Sequence, residues 1–304
     1  MSIVADEIQT QPDLWRRAGG LASDVAPLLG ARGERVCVVG CGTSLYVAQA
    51  WAALREAAGH GETDAFPASE LPAARRYDVL VAISRSGTTT EVVHALQRDL
   101  APRTVALTAL VDSPVSDAAD EVVDLSFADE QAVVQTRFAT SALSLLRALA
   151  HPDSVEPAAA DAERALVEPL PVDPASVEQW TFLGRGWTVG LAHEAALKLR
   201  ETAQAWTEAY PAFEYRHGPV AIAAPGRVVW SFGPLHPDIA EQIGATGATV
   251  VAPELDPLAS LVLAQRAAVA LAESRGLDPD EPRNLTRSIV LSDGELDLLT
   301  PRGA

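Results

Sequence analysis

The chain has 304 residues, 48% of them hydrophobic and 21% charged, which is typical of a globular protein with an ample core. Its formal net charge of -18 argues against a nucleic-acid or anionic-membrane surface, because such binding requires clustered lysine and arginine. The sequence has no apolar run of about 18 residues that would span a membrane, and its N-terminus is acidic where a secretory signal is basic and apolar. We therefore expect a cytoplasmic protein without nucleic-acid or membrane partners.

Two cysteines are present, Cys37 and Cys41. They fall in or beside one predicted strand, where alternate side chains diverge, and no cysteine or histidine follows at the spacing of metal ligands. We expect two buried, unpaired thiols, no metal site and no cofactor.

In chain order, a predicted helix over residues 10–29 is followed by a repeated pattern of strand, turn and helix. Short continuous apolar runs that alternate with helical patterns indicate a parallel sheet covered on both faces. The predicted strands cover 35–40, 78–84, 103–109 and the run EVVDLS, and the predicted helices cover 45–58, 91–100 and 136–150. The predicted fold class is α/β, doubly wound and flavodoxin-like.

A segment rich in proline and acidic residues, 151–178, interrupts this pattern and suits a surface connection. Beyond it the sequence repeats itself, because Gly184 and Thr188 follow Gly40 and Ser44 at one constant offset of 144 residues. We predict two tandem subdomains, each with a parallel sheet. Their expected bounds are 1–155 with an N-terminal helix, a linker at 156–178, and 179–304 with a C-terminal tail.

Two turns carry more hydroxyl groups than a simple turn requires. The segments GCGTS (40–44) and SRSGTTT (84–90) follow predicted strands directly, at the edge where open parallel sheets bind ligands. Glycines let the backbone approach a ligand, and hydroxyls with helix N-termini suit an anion, so these turns predict a site for a phosphate monoester. Helix capping remains open as the alternative, whereas the dinucleotide and nucleoside-triphosphate fingerprints are absent. In the second half Ser231 matches Ser84 but the hydroxyls after it are lost, so we expect one such pocket per chain.

A second candidate site lies in the other half of the chain. Glu194, Lys198 and Glu201 share one face of the predicted helix AHEAALKLRETAQAW, because they are four and three residues apart. An exposed row of weak ion pairs would give the same pattern. The irregular stretch EAYPAFEYRHGP that follows contains His217, and a carboxylate with a histidine can serve as base and acid near neutral pH.

Five stretches together resemble the sugar isomerase (SIS) family, and in particular the isomerase domain of glucosamine-6-phosphate synthase. They are GCGTS, SRSGTTTE, TRFATSALSLL, HEAALKLRETAQAWTEAYPAFEYRHGP and EPRNLTRSIVL. The likeness spans nearly the whole chain, and its most specific parts are the stretch from Glu194 to His217 and the Arg-Asn-Leu tail. The resemblance implies two SIS subdomains and a homodimer with shared active sites.

The resemblance also implies residue roles. Glu201 matches the general base that moves a proton between C1 and C2 of the open-chain sugar, and His217 matches the ring-opening histidine, which in those relatives reaches in from the neighbouring subunit. Glu194 and Lys198 match supporting residues of that site. The positions that match the phosphate site are Thr43, Ser44, Ser84, Ser86 and Thr89. Arg85, in the same loop, is expected to add charge to that site, and a solvated side chain is the alternative. The positions expected beside the sugar are Gly42, Val133, Gln135, Thr286 and Arg287.

Departures from the synthases shape the expected activity. We expect no glutaminase domain and hence no release of ammonia from glutamine, and the tail lysine of the synthases is Arg287 here, whose guanidinium cannot form an imine. The expected function is that of a phosphosugar enzyme, which acts on an amino- or N-substituted hexose 6-phosphate and couples aldose–ketose isomerisation to loss or exchange of an amine. The fructosamine-6-phosphate deglycases and amino-sugar deaminases are the relatives of this kind. The alternatives are a glutamine-independent synthase-like isomerase and a non-catalytic sugar-phosphate sensor.

Overall fold

The structure is a computed structural model that describes residues 2–299, apart from the side chains at 293, 297 and 298. The chain forms two compact units, each built around one parallel sheet. The sheet A unit contains residues 17–130, 137–152 and 286–299, and the sheet B unit contains residues 2–16, 131–136 and 153–285.

Strands and helices alternate through most of the chain. The strands are β1 (Val36–Gly40), β2 (Thr63–Pro67), β3 (Val79–Ser84), β4 (Thr104–Thr108), β5 (Glu121–Asp124), β6 (Gln179–Gly184), β7 (Thr207–Pro211), β8 (Arg227–Ser231) and β9 (Thr249–Val251). The helices are α1 (Ile3–Gln9), α2 (Gln11–Gly20), α3 (Ala22–Val25), α4 (Thr43–Ala57), α5 (Thr90–Leu96), α6 (Pro114–Asp117), α7 (Arg137–Ala150), α8 (Val155–Val167), α9 (Thr188–Ala203), α10 (Pro237–Gly244), α11 (Pro257–Ser274) and α12 (Asp293–Leu299).

Sheet A has the strand order β2-β1-β3-β4-β5, with every neighbouring pair parallel. The central strands β1, β3 and β4 are buried along their whole length. Continuous apolar runs such as VCVVG are buried at every position because a parallel sheet is covered on both faces. This strand order is that of flavodoxin-like folds, so the predicted fold class is confirmed.

Sheet B repeats the connectivity with the order β7-β6-β8-β9. Its core contains the rings of Trp180, Phe182 and Trp230, whose centroids lie 6.2 to 6.4 Å apart. Helix α9 packs against β6 and β7, and α11 packs against α8 and α9. Because β6 to β9 take the places of β1 to β4, the predicted internal repeat is present in the fold.

Equivalent glycines end the first strand of each repeat. A Cβ atom on Gly40 would lie 2.6 Å from the backbone carbonyl carbon of Ser44, and one on Gly184 would lie 2.2 Å from the backbone oxygen of Thr188. Both distances are far below a normal contact. The strand can therefore approach the first turn of the following helix only where the side chain is absent.

The N-terminal residues depart from the predicted boundaries. Residues 2–16 belong to the sheet B unit, although the sequence assigned them to the first subdomain. The backbone N–H groups of Ile3 and Val4 donate to the Asp280 carboxylate at 2.7 and 2.9 Å, and α1 packs on α11. These contacts join residues about 277 positions apart, which no local pattern encodes.

The C-terminal tail and the predicted linker also differ from the sequence-based boundaries. Residues 286–299 belong to the sheet A unit, where the Thr90 backbone N–H donates to the Ile289 carbonyl at 3.3 Å. The predicted linker at 156–178 contains most of α8, which packs against α11 as an integral helix of the sheet B unit.

Several elements differ from the sequence-based prediction. The predicted helix over 10–29 is divided into α2 and α3, and strand β2 is missing from the sequence-based prediction. Its sequence, TDAFP, is only partly buried and contains a proline, so an edge strand of this kind gives a weak pattern. Within the described range each helix is too short or too polar to cross a membrane.

Candidate functional site

The hydroxyl loop, residues 84–90, connects β3 to α5 at the C-terminal edge of sheet A. Ser84 ends the strand, and its Oγ accepts a hydrogen bond from the Gly87 N–H at 3.2 Å. Gly87 has a φ of +65°, and a Cβ atom there would lie 2.2 Å from the Ser113 Oγ, so the turn requires glycine.

Three further hydroxyls gather within this loop. The Ser86 Oγ accepts from the Thr88 backbone N–H at 3.3 Å and lies 3.4 Å from the Thr89 Oγ1. Ser86 is buried, whereas Thr88 and Thr89 are partly exposed. The loop therefore presents a cluster of alcohol groups with mobile protons that can each donate or accept.

A companion turn precedes α4 at the end of β1, the strand next to β3 in the sheet. Gly42 has a φ of +55°, and Thr43 and Ser44 form the buried first residues of α4. The helix is 15 residues long, so its N-terminus attracts negative charge. The predicted pair of hydroxyl-bearing turns thus occupies neighbouring strand ends of one sheet.

The tail segment 286–292 lies against the hydroxyl loop. The Thr88 Oγ1 donates to the Ser288 Oγ at 2.9 Å, and the Ser86 Oγ donates to the same oxygen at 3.2 Å. The Thr90 Oγ1 accepts from the Leu291 N–H at 2.9 Å. The Ser288 hydroxyl therefore accepts from two of the alcohol donors of the hydroxyl loop. Sequence reasoning missed Ser288, whose only signal was a hydroxyl directly after Arg287 in the tail.

Arg85 has an environment different from the one expected. Its side chain is 1% exposed, its Nη1 lies 3.7 Å from the Glu130 carboxylate, and its Nη2 donates to the Arg287 carbonyl at 3.0 Å. Arg287 in turn pairs with Asp129 at 2.5 Å and donates to the Glu130 carbonyl. These contacts favour a role for Arg85 in holding the tail rather than in adding charge to a phosphate.

The remaining positions expected beside the sugar are divided between the units. The Thr286 Oγ1 donates to the Ser288 carbonyl at 2.9 Å and so braces the tail. Val133 and Gln135 lie in the segment 131–136 of the sheet B unit. The Gln135 Oε1 is buried and accepts no hydrogen bond from the residues that the structure describes.

Helix α9 carries the predicted charged face within the sheet B unit. The Lys198 Nζ lies 2.5 Å from the Glu201 Oε2 and 3.5 Å from the Glu194 Oε1. The side chains of Lys198 and Glu194 are 1% and 4% exposed, and that of Glu201 is 20% exposed. This burial is incompatible with the alternative of an exposed row of weak ion pairs. The three residues, here called the α9 triad, thus present one accessible carboxylate, Glu201, beside a buried ammonium group.

His217 is exposed at the end of the short 3₁₀ turn Glu214–His217. No hydrogen bond or ion pair joins it to the α9 triad in the part of the chain that the structure describes. Its expected action across a dimer therefore stays a prediction.

Both cysteines are unpaired, with Cys37 buried and Cys41 partly buried. Burial raises the pKa of Cys37 to about 12 and that of Cys41 to about 11, because an apolar environment disfavours the thiolate. Both thiols are therefore neutral near pH 7, as expected of plain core residues.

Comparison with known proteins identifies relatives that align with nearly the whole chain. Residues 31–152 match the family model of the SIS domain. The chain is 28% identical to a glutamine–fructose-6-phosphate aminotransferase (isomerizing) of Methanothermobacter thermautotrophicus over 91% of its length, and 29% identical to that of Aeropyrum pernix over 94%. It covers 54% and 56% of these proteins, so the chain spans about half the length of the curated relatives it matches.

Two solved structures share the fold. A glucosamine-6-phosphate deaminase from Thermotoga maritima superposes with a TM-score of 0.82 at 24% identity, covering 95% of this chain and 100% of that chain. The C-terminal domain of the glucosamine-fructose-6-phosphate aminotransferase from Francisella tularensis gives a TM-score of 0.82 at 22% identity, with coverage of 93% and 98%. Both support the tandem α/β architecture, and the match to the family model identifies residues 31–152 as a SIS domain.

Proposed function

We propose that the chain is a phosphosugar enzyme of the isomerase and deaminase or deglycase type. Its substrate would be an amino- or N-substituted hexose 6-phosphate, and its reaction an aldose–ketose isomerisation coupled to loss or exchange of the amine. The names of the relatives support this class, since they include aminotransferases acting with fructose 6-phosphate and a glucosamine-6-phosphate deaminase.

The observation that carries the proposal is the Glu201 carboxylate, which lies 2.5 Å from the Lys198 Nζ and is 20% exposed. A carboxylate that is accessible on one side and held on the other is suited to moving a proton to and from a bound substrate. The burial of Glu194 and Lys198 fixes the direction of the Glu201 carboxylate. Neither of the two buried side chains can leave the helix face without losing the ion pair between them.

In the proposed reaction, Glu201 removes the C2 proton of the open-chain 2-amino aldose and returns it to C1. The electron pair of the C2–H bond forms the enediol-type intermediate, and reprotonation at C1 leaves an imine at C2. Addition of water to that imine releases the amine and yields the ketose 6-phosphate. His217 assists ring opening before these steps.

The hydroxyl loop would hold the phosphate. Ser86, Thr88 and Thr89 supply alcohol donors, and Ser44 lies at the start of the long helix α4. These groups suit a phosphate monoester because they donate several hydrogen bonds and need no buried positive charge beside the phosphate. Binding requires the Ser288 hydroxyl to leave Ser86 and Thr88.

We further propose that the chain works as a homodimer in the cytoplasm, with His217 contributed by the neighbouring subunit. A dimer of this kind would make every site depend on two chains. Mixing an inactive Glu201→Gln chain with an inactive His217→Ala chain should then restore part of the activity, whereas action within one chain predicts no recovery.

Incubation with fructose 6-phosphate in deuterated water tests the chemistry directly. A catalyst exchanges the C1 proton for deuterium, and Glu201→Gln should slow that exchange by about 10²–10⁴-fold while the sugar phosphate still binds. Glu178→Gln is the matched control, because it removes an exposed carboxylate of the same unit. Binding of fructose 6-phosphate without any exchange would instead indicate the sensor. A panel of amino- and glycated-sugar 6-phosphates, scored for released amine, then identifies the substrate.

A further inference from the structure

A cavity of about 420 Å³ opens at the C-terminal edge of sheet B. We propose that it is a second ligand site of this chain and that it binds a small planar aromatic anion. The proposal does not rest on the proposed function, because no residue of the hydroxyl loop or of the α9 triad lines this cavity. Its volume lies within the range of about 300–1,000 Å³ that is typical of small-molecule sites.

The position of the cavity follows from the topology. Strand β6 pairs with β7 on one side and with β8 on the other, so the strand order reverses between β6 and β8. Gly184 ends β6 and Ser231 ends β8, and both line the cavity. Ligands bind at such points in open parallel sheets because the connections leaving the two strands diverge and leave a crevice.

The walls of the cavity are aromatic and apolar. Phe232 is 3% exposed and packs on Phe182 with a centroid distance of 6.2 Å, which makes it a fixed surface. Phe213 also lines the cavity but is 48% exposed. An exposed aromatic face beside a cavity gives a planar ring a surface for stacking.

Arg185 supplies a positive charge to the cavity. Its guanidinium lies 5.5 Å from the centroid of the Phe213 ring, and it forms no ion pair with any residue between 2 and 299 that the structure describes. The Thr188 Oγ1 accepts from the Arg185 backbone N–H at 2.8 Å and donates to its carbonyl at 3.0 Å, which fixes the backbone there. In a chain with a net charge of -18, an arginine left without a carboxylate next to an aromatic face favours an anion that carries a ring.

The cavity differs in chemistry from the hydroxyl loop, its counterpart in the first repeat. Phe232 and Gly233 stand where the hydroxyl loop has Arg85 and Ser86. The one strand-end hydroxyl that remains, that of Ser231, donates to the Gly233 carbonyl at 2.7 Å. The anion would therefore depend on Arg185, and the ring on the two phenylalanines. This agrees with the expectation that the chain has only one pocket of the hydroxyl type.

Equilibrium dialysis with 4-nitrophenyl phosphate tests the proposal, with inorganic phosphate and 4-nitrophenol as separate probes. The parent protein for this test carries Ser86→Ala and Thr89→Ala, so that binding at the hydroxyl loop does not interfere. We expect 4-nitrophenyl phosphate to bind at least about tenfold more tightly than either half-probe, because only it uses both the cation and the aromatic face.

Variants locate the binding. Arg185→Gln and Phe213→Ala should each weaken binding of 4-nitrophenyl phosphate by about tenfold or more. Arg164→Gln removes an exposed arginine that pairs with Asp161 and Glu168 outside the cavity, and it should bind like the parent. The proposal is overturned if 4-nitrophenyl phosphate shows no saturable binding, or if Arg185→Gln binds it like the parent. It is also overturned if Arg164→Gln weakens this binding as much as Arg185→Gln does. Because Arg185 is exposed, its variant should unfold at the parent's temperature, which separates lost binding from lost folding.

Discussion

The hydroxyl of Thr88 donates a 2.9 Å hydrogen bond to the hydroxyl of Ser288, which lies 200 residues further along the chain. The same Ser288 oxygen accepts from Ser86 at 3.2 Å. The tail thus satisfies donors in the loop that is proposed to bind phosphate. Tail and phosphate would compete for the same two groups, which leads to the first prediction.

Ser288→Ala should strengthen binding of fructose 6-phosphate by about two- to tenfold, because a net hydrogen bond contributes about 0.5–1.5 kcal/mol and the variant frees Ser86 and Thr88 for the ligand. Isothermal titration calorimetry measures the change. Ser292→Ala is the matched control, since the Ser292 hydroxyl bonds to Glu295 instead. Weaker binding by Ser288→Ala would mean that Ser288 itself contacts the phosphate.

Lys198→Met should lower the free energy of unfolding by about 3–5 kcal/mol, because removing one partner leaves a buried charge without its ion pair. Lys198 is 1% exposed and lies 3.5 Å from the buried Glu194 carboxylate. The double variant Glu194→Gln, Lys198→Met should regain part of the loss. Urea denaturation measures both, and a loss of less than about 0.5 kcal/mol for Lys198→Met would contradict the burial of this pair.

Alanine at Gly40 or Gly184 should destabilise the fold by about 1–3 kcal/mol, because the added Cβ meets backbone atoms that cannot move aside cheaply. The distance from the added Cβ to the nearest backbone atom is 2.6 Å at Gly40 and 2.2 Å at Gly184, so Gly184→Ala should lose more stability than Gly40→Ala. Gly20→Ala is the control, since nothing lies within 4 Å of its Cβ position. Thermal unfolding ranks the three variants, and equal melting temperatures would refute the close approach.

The two thiols should resist an aromatic disulfide reagent at about pH 8 until the protein unfolds. Burial raises the pKa of Cys41 to about 11, so its thiolate fraction at that pH is roughly two orders of magnitude below that of a free cysteine. For an acid whose pKa is raised by folding, the contribution to stability is fully present below about pH 8.5 and is lost as pH rises toward the folded pKa. Rapid labelling of the native protein would contradict the burial of Cys37 and the raised pKa of Cys41.

Local patterns were sufficient for the parts of the fold that depend on short-range sequence. The run VCVVG predicted a fully buried strand, and the spacing of Glu194, Lys198 and Glu201 predicted a shared helix face, because strand and helix periodicity are local properties. Strand β2 escaped prediction because an edge strand needs neither full burial nor an apolar run. The offset of 144 residues revealed the repeat because both copies need glycine at the same close approach.

The sequence by itself determined the doubly wound architecture, the hydroxyl-bearing turns and the charged helix face, since each depends on residues that are close in the chain. Only the tertiary structure decided which unit holds each end of the chain and that Arg85 contacts Glu130 and Arg287. It also decided that Ser288 lies against the hydroxyl loop. The contacts of Arg85 and Ser288 join residues up to 202 positions apart, and their partners are selected by packing and buried charge rather than by any local pattern.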